Sequence, residues 1–197
     1  MTDLATPPAP PVPPSPPPTR HTARWAGLLI LVVAAGLIAV LATRPPATVS
    51  EVQNPLVGHA SPRISGTTVD GSTFSLPAVP GKFVVVNFFA SWCIPCQSEG
   101  PNLVQFNFEH QQSGDAQLVS VVFDDSASNA RDYQAKLGAT WPTLADSGGD
   151  LALAFGVRES PSTFLIAPDG RVVAYIVAPV TAADLDQLIA RAKETGA

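Results

Sequence analysis

The longest apolar segment of the chain shows no alternation with polar residues. Eighteen consecutive residues, Trp25–Ala42, are uncharged and read WAGLLILVVAAGLIAVLA. As a helix this segment is about 27 Å long, close to the thickness of the hydrocarbon core of a membrane. Because it has no polar face, the pattern predicts a transmembrane anchor rather than a core helix. A cleaved signal peptide is the alternative, since Val40-Leu41-Ala42 offers a small-residue cleavage site.

The segments on either side of the apolar run lack the periodicity of a folded domain. Residues 1–24 contain nine of the 21 prolines and predict a disordered tail. Arg20 and Arg24 precede the run and Arg44 follows it, so the positive-inside rule favours a cytoplasmic tail and an extracytoplasmic domain at the cell membrane. Residues 43–54 predict a linker. Cleavage of the apolar run would instead yield a secreted domain.

Residues 55–197 alternate between strand-like and helix-like segments and predict one α/β domain. Near-continuous apolar runs at Phe83–Ala90 and Gln117–Phe123 predict strands buried on both faces, in a sheet with helices on each side. A β-hairpin with a two-residue turn is predicted from two strand signals and a turn pair: Arg63–Val69, Thr73–Leu76 and Asp70-Gly71.

Helical segments follow these strands. Three are predicted at Cys93–Gln112, Ala127–Leu137 and Asp150–Phe155. A fourth follows Thr181, whose spacing to Asp184 resembles a capping box. Its apolar face is predicted to consist of Leu185, Leu188, Ile189 and Ala192.

Charge and cysteine content argue against nucleic-acid binding and favour thiol chemistry. The chain has 16 acidic and 11 basic residues, without a basic patch interleaved with aromatic residues, so we expect no nucleic-acid partner. Its two cysteines, Cys93 and Cys96, lie between a predicted strand and a predicted helix. A helix N-terminus stabilises a thiolate on the first cysteine. The second, one turn further, is placed to attack a mixed disulfide formed by the first.

A cysteine pair can also serve as a structural disulfide, a metal site or part of a binding surface. A structural disulfide that closes so short a loop removes little entropy from the unfolded chain. A zinc or copper site would need further ligands, and His59 and His110 lack the usual ligand spacing. We therefore expect no metal and no cofactor. An adaptor without redox chemistry stays open, and the alkylation rate of Cys93 distinguishes it from an enzyme.

The segment Phe88–Cys96, FFASWCIPC, resembles the active-site segment of thioredoxins. Extended to Pro101, it contains Trp-Cys-x-x-Cys-x-x-Glu-x-Pro and resembles the membrane-anchored redoxins of the TlpA, ResA and DsbE type. Those proteins act in cytochrome c maturation and related extracytoplasmic thiol chemistry. The resemblance covers about residues 55–195. It implies a thioredoxin fold with a central mixed β-sheet flanked by helices, an N-terminal β-hairpin and a central strand-helix insertion.

The resemblance assigns roles to the motif residues. It implies that Cys93 is the attacking thiol, exposed at the helix tip, and that Cys96 is the shielded resolving thiol. Together they would form a redox-active disulfide. Pro95 would restrain the loop between them, and Trp92 would pack beside the active site.

Two further positions follow from the resemblance. Thioredoxin has a buried aspartate where this chain has Asn87, so Glu99 becomes the candidate proton-handling group. The segment around Pro161 resembles the family's cis-proline segment. That proline, with Ser160 before it, would face the cysteines.

The resemblance also implies partners. Protein thiols and disulfides would be the substrates, including apocytochrome c or the factors that handle it, and a membrane protein would donate electrons. The predicted anchor and Glu99 favour a reductant of protein disulfides. An exported oxidase for folding proteins is the alternative.

Overall fold

The computed structural model describes residues 20–42, 51–78 and 80–196. Helix α1, Arg20–Ala42, belongs to one compact unit, and residues 51–78 and 80–196 belong to a second, the domain. Side chains at 25–39 are exposed. Within the described part of the chain, no helix is both long and apolar enough to cross a membrane. Residues 1–19 of the predicted tail and residues 43–50 of the predicted linker lie outside the described residues, whereas residues 20–24 of that tail are part of helix α1.

The elements of the domain follow one another in the predicted order. They are β1 (Ser65–Thr67), β2 (Thr73–Ser75), β3 (Phe83–Phe89), α2 (Ile94–Ser113), β4 (Ala116–Val122), α3 (Ala127–Leu137), β5 (Thr143–Leu144), α4 (Asp150–Phe155), β6 (Ser162–Ile166), β7 (Val172–Ile176) and α5 (Ala182–Glu194). The main sheet has the order β5-β4-β3-β6-β7. Strand β3 runs parallel to β4 and antiparallel to β6, so the sheet is mixed.

Strand β3 lies at the centre of the sheet and is buried along its whole length. Alternate side chains point to opposite faces. Phe83 and Val85 pack into a core that includes residues of α2 and α5. Val84 and Phe88 pack on the other side, where Phe155 of α4 contributes. The prediction of a sheet covered by helices on both faces is confirmed.

Helix α2 carries the cysteine motif and has a clear start and end. Cys93 is its extended N-cap residue, and Pro95 lies in the first turn, where its missing N–H removes no intrahelical bond. Leu103 and Phe106 are buried. Truncation of a buried phenylalanine costs about 3–5 kcal/mol, so this face holds α2 firmly on the sheet. Gly114, in the left-handed conformation, ends the helix.

The N-terminal hairpin is present, but the predicted two-residue turn is wrong. Thr68 N–H donates to the Ser72 carbonyl at 2.8 Å, so residues 69–71 form a three-residue loop. The Asp70 carboxylate accepts hydrogen bonds from the Thr68 hydroxyl and from the Ser72 N–H, which stabilises the wider loop. Val69, the first residue of this loop, also donates its N–H to the Thr143 carbonyl. The hairpin thus forms its own two-stranded sheet, which backbone hydrogen bonds join to β5.

Four residues predicted as linker, 51–54, are part of the domain. Val52 N–H donates to the Tyr175 carbonyl at 2.8 Å. The Asn54 side chain donates to the Phe155 carbonyl at 3.3 Å. Strand β7 is last in the sheet order, and this segment covers its open edge. Backbone pairing of that kind leaves no periodic signal in the sequence.

Candidate active site

The two cysteines lie at the N-terminus of α2 and are joined by a disulfide. Cys96 N–H donates to Cys93 Sγ at 3.2 Å, so a backbone amide of the first helical turn points at this sulfur. An N–H in that position stabilises negative charge on Cys93 once the disulfide is reduced. The predicted disulfide is confirmed, and the local geometry suits Cys93 as the thiolate.

The prediction that Cys93 is exposed is wrong for this disulfide form. Cys93 is 4% exposed and Cys96 is 2% exposed. Cys93 Sγ lies 3.5 Å from the Ser160 carbonyl oxygen, and both cysteines pack into a small apolar cluster that includes Phe89. Their neighbour Ile94, by contrast, is 77% exposed. A substrate therefore meets the apolar rim of the site before it reaches the sulfur.

The loop before β6 closes the site from the other side. The Ser160–Pro161 peptide bond is cis, as the resemblance implied. Both residues precede the first residue of β6, and β6 pairs with β3 through Phe88 and Ser162. This register brings the predicted residues Ser160 and Pro161 to the edge of the sheet where the disulfide lies.

Glu99 is a buried acid one turn along α2 from Cys96. It is 1% exposed. Asn87 Nδ2 donates to Glu99 Oε1 at 2.8 Å, and Val180 N–H donates to Oε2 at 3.1 Å. Burial raises the pKa of Glu99 to about 7, against the lowering effect of both hydrogen bonds. Neither donor is charged, so the carboxyl group can gain and lose a proton near neutral pH.

Asn87 occupies the position of thioredoxin's buried aspartate, and Glu99 is the acid expected to replace that aspartate. The contact between the Asn87 and Glu99 side chains could not be predicted from the sequence. Asn87 pairs with Thr163 across β3 and β6, and its Nδ2 also donates to Thr163 Oγ1 at 3.2 Å. Because both hydrogen bonds use the amide nitrogen, the side-chain orientation is fixed by Glu99 and Thr163. Only the strand register reveals this arrangement.

Trp92 lies at the rim and is 59% exposed. Its Nε1–H donates to the Asp124 carbonyl at 3.0 Å. The neighbouring Asp125 accepts a hydrogen bond from Ser91 N–H at 2.8 Å. Burial acts to raise the pKa of Asp125, but hydrogen bonds from Ser91 and Asn129 hold it below its usual value. The segment that follows β4 thus holds the loop that precedes Cys93.

These features define a class of protein. The chain combines a mixed sheet, a disulfide at a helix N-terminus and a cis-proline that faces it. These features together are typical of a thioredoxin-fold thiol-disulfide oxidoreductase. The family model described as Redoxin matches residues 56–189, and the chain belongs to that family.

Several similar proteins are named for thiol-disulfide exchange. The chain is 27% identical over 130 residues to "Thiol-disulfide oxidoreductase ResA" of Bacillus thuringiensis (strain Al Hakam), covering 66% of this chain and 75% of the relative. It is 36% identical over 102 residues to "Thiol:disulfide interchange protein HelX" of Rhodobacter capsulatus, covering 51% and 55%. A thiol:disulfide interchange protein from Chlorobium tepidum TLS superposes with a TM-score of 0.62 at 31% identity, covering 72% and 99%.

Proposed function

We propose that this thiol-disulfide oxidoreductase reduces protein disulfides outside the cytoplasm while anchored in the cell membrane by residues 25–42. Two observations support the location: the uncharged run itself, and the arginines Arg20 and Arg24 before it. The redox site supports the chemistry. A membrane protein supplies the electrons, and a disulfide of apocytochrome c, or of a factor that handles it, is the substrate.

Reduction proceeds by two exchanges. The Cys93 thiolate attacks a substrate disulfide, forms a mixed disulfide and releases one substrate thiolate. Cys96 then loses its proton, attacks Cys93 Sγ and releases the second substrate sulfur. The chain ends with the Cys93–Cys96 disulfide, and two electrons have passed to the substrate. Exchange with a dithiol of the membrane donor returns the two electrons.

The single observation that carries this mechanism is the environment of Glu99. Its carboxylate is buried one turn from Cys96 and accepts hydrogen bonds from the neutral donors Asn87 and Val180. Burial raises its pKa to about 7, so it can release or take up a proton near neutral pH. Glu99 takes the Cys96 proton during resolution and returns it to the departing substrate thiolate.

The reduction potential tests the direction of electron flow. We expect a value near that of thioredoxin, about −270 mV, for a reductant. A value near about −120 mV would show that the chain is an oxidase. Equilibration of the Cys93–Cys96 pair with a glutathione or thiol buffer of known potential gives the number.

Fractionation tests the location. The native protein is expected in the membrane fraction, with the domain accessible to protease only from the outer side. A soluble, shortened protein that begins near Thr43 would show that the apolar run is a cleaved signal peptide.

Substrate choice has a separate test. We expect the Cys96→Ser variant, which lacks the resolving thiol, to form mixed disulfides with an oxidised Cys-x-x-Cys-His peptide of the haem-attachment type. A matched peptide with the histidine changed to alanine is the control. Equal trapping of unrelated disulfide peptides would contradict the cytochrome c assignment and leave the reductase assignment standing.

A further inference from the structure

Helix α3, the helix of the central insertion, makes a direct polar contact with the cysteine motif. The Tyr133 hydroxyl donates to the Cys96 carbonyl oxygen at 3.3 Å. The Tyr133 ring lies beside Phe89 at the end of β3, with 5.7 Å between ring centroids. The side chain therefore touches both elements that carry the redox site.

The close approach depends on a residue without a side chain. A Cβ added to Gly100 would lie 2.7 Å from the Tyr133 hydroxyl oxygen and 3.0 Å from a methyl group of Leu137. The first distance is too short for a real contact and the second is tight, so the Tyr133 hydroxyl would have to move. Gly100 lies one position after Glu99 in the cysteine motif, so the motif itself provides the space that Tyr133 occupies.

Tyr133 also marks the boundary between the buried site and solvent. It is half-buried and lines an open groove of about 560 Å³ between α2 and α3. Other residues that line the groove include Ser91, Gln97, Pro101, Asp132, Lys136 and Leu137. The hydroxyl thus lies between this groove and the Cys96 backbone.

The electrostatic surroundings keep the hydroxyl protonated. Burial raises the pKa of Tyr133 and the negative charge of Glu99 raises it further, so the group remains a hydrogen-bond donor at neutral pH. Since its hydrogen points at Cys96, the positive end of the O–H dipole faces α2. That orientation favours negative charge on two titratable groups near the start of α2, the Cys96 thiol and Glu99.

We propose that Tyr133 is a positioning residue for the resolving cysteine, and that the insertion helix α3 thereby sets how readily Cys96 ionises. The hydroxyl holds the Cys96 peptide group and presents a fixed dipole to the first turns of α2. Gly100 is the residue that permits this contact. The inference deepens the proposed function and rests on resolution by Cys96 assisted by Glu99.

Tyr133→Phe tests the proposal because it keeps the ring against Phe89 and removes only the hydroxyl. The readout is the rate at which Cys96 resolves a preformed mixed disulfide on Cys93, measured across pH. We expect the profile to move up by about half a pH unit, which makes resolution about threefold slower below the midpoint. Thermal stability is expected to change little.

Two further variants sharpen the test. Gly100→Ala should give a shift in the same direction, because its Cβ displaces the hydroxyl, and the Tyr133→Phe/Gly100→Ala double variant should shift no further. Tyr175→Phe is the matched control. It removes the hydroxyl of the chain's other tyrosine, which contacts Ser162 at 3.3 Å and not Cys96. Its profile should match the parent.

The possible outcomes separate this inference from the proposed function. Charged groups that act on Tyr133 or share its groove are Glu99 on α2 and Asp132 and Lys136 on α3. A Tyr133→Phe profile that superimposes on the parent, while Glu99→Gln still shifts the profile, overturns the role of Tyr133 alone. Superimposed profiles for both variants overturn the role of Glu99 as well.

Discussion

The two ends of helix α2 each carry a titratable side chain, and the two side chains differ in whether their hydrogen-bond partners are charged. Near the N-terminus, Glu99 is buried among neutral hydrogen-bond donors, and burial raises its pKa to about 7. Near the C-terminus, His110 lies between two carboxylates. Its Nδ1 is 2.7 Å from Asp115 and its Nε2 is 2.8 Å from Asp186. Among the described residues, Glu99 has no charged hydrogen-bond partner, whereas both ring nitrogens of His110 contact a carboxylate.

The pairing at the C-terminal end reverses the effect of burial. Burial alone would lower the pKa of His110, but hydrogen bonds to Asp186 and Asp115 raise it above its ordinary value. Hydrogen bonds from Ser113 and His110 lower the pKa of Asp115. These shifts favour the charged forms of His110 and Asp115. The contacts among His110, Asp115 and Asp186 link α2, the start of β4 and α5. Such a site stabilises the fold, whereas an acid without a countercharge is ready to exchange protons.

The largest expected difference between the two ends is in turnover. Cys93→Ser should abolish disulfide reduction because no thiolate remains to attack the substrate. His110→Asn, at the other end of the same helix, should retain turnover. An insulin-reduction or peptide-disulfide assay measures both. Loss of activity in His110→Asn at unchanged folding would contradict the division of roles.

Removal of the buried acid has the next largest effect. Glu99→Gln should slow resolution at neutral pH by about 100-fold, since a positioned general base contributes at least that much. It should also lower the apparent pKa of the thiols, because a nearby negative charge is gone. Stopped-flow resolution and thiol alkylation across pH measure these effects. An unchanged pH profile would make Glu99 a structural residue only.

Stability of the oxidised protein should depend on pH through Glu99. Its pKa is raised from 4.5 to about 7 in the folded chain, so the folded state binds the proton more tightly than the unfolded state. Its contribution is greatest below pH 4.5 and falls as pH rises through 7, by about 3 kcal/mol in total. Denaturant unfolding of the parent and Glu99→Gln at several pH values tests this. The two curves should differ in slope across this interval.

His110 should give a smaller effect with the same sign. Because its pKa is raised, its stabilisation is complete below about pH 6.5 and is lost as pH rises through the folded-state value. His110→Asn should cost about 1 kcal/mol at acidic pH and less at alkaline pH, given that both partner carboxylates are partly exposed. Equal destabilisation at both extremes would show that packing, and not the ion pairs, carries the effect.

Local signals predict most of the fold. The bounds of α3 and α4 agree with the apolar spacing and the glycines that follow them. The cysteine motif and the cis-proline segment are also predictable, because each is encoded in a short run of sequence. The prediction that Cys93 is exposed, however, is wrong. Cys93 is covered by Ser160, which lies 67 positions away in the sequence.

Long-range contacts within the site could not be predicted in the same way. Val180 N–H reaches Glu99 across 81 positions, and Asn87 meets Thr163 across 76. These pairs depend on strand register and on how the segment before α5 packs, and neither leaves a periodic pattern. Asp125 precedes Ser126, the N-cap residue of α3, yet it also holds the loop before Cys93, 34 positions away from its partner Ser91.

Direct titration of Glu99 is the most decisive measurement. The carboxyl carbon of Glu99, assigned by its absence in Glu99→Gln, can be followed by NMR across pH in the oxidised protein, where the cysteines do not titrate. A buried acid that exchanges protons with Cys96 should show a midpoint near pH 7. A midpoint near the ordinary value of 4.5 would contradict the proton-handling role and, with it, the proposed mechanism of resolution.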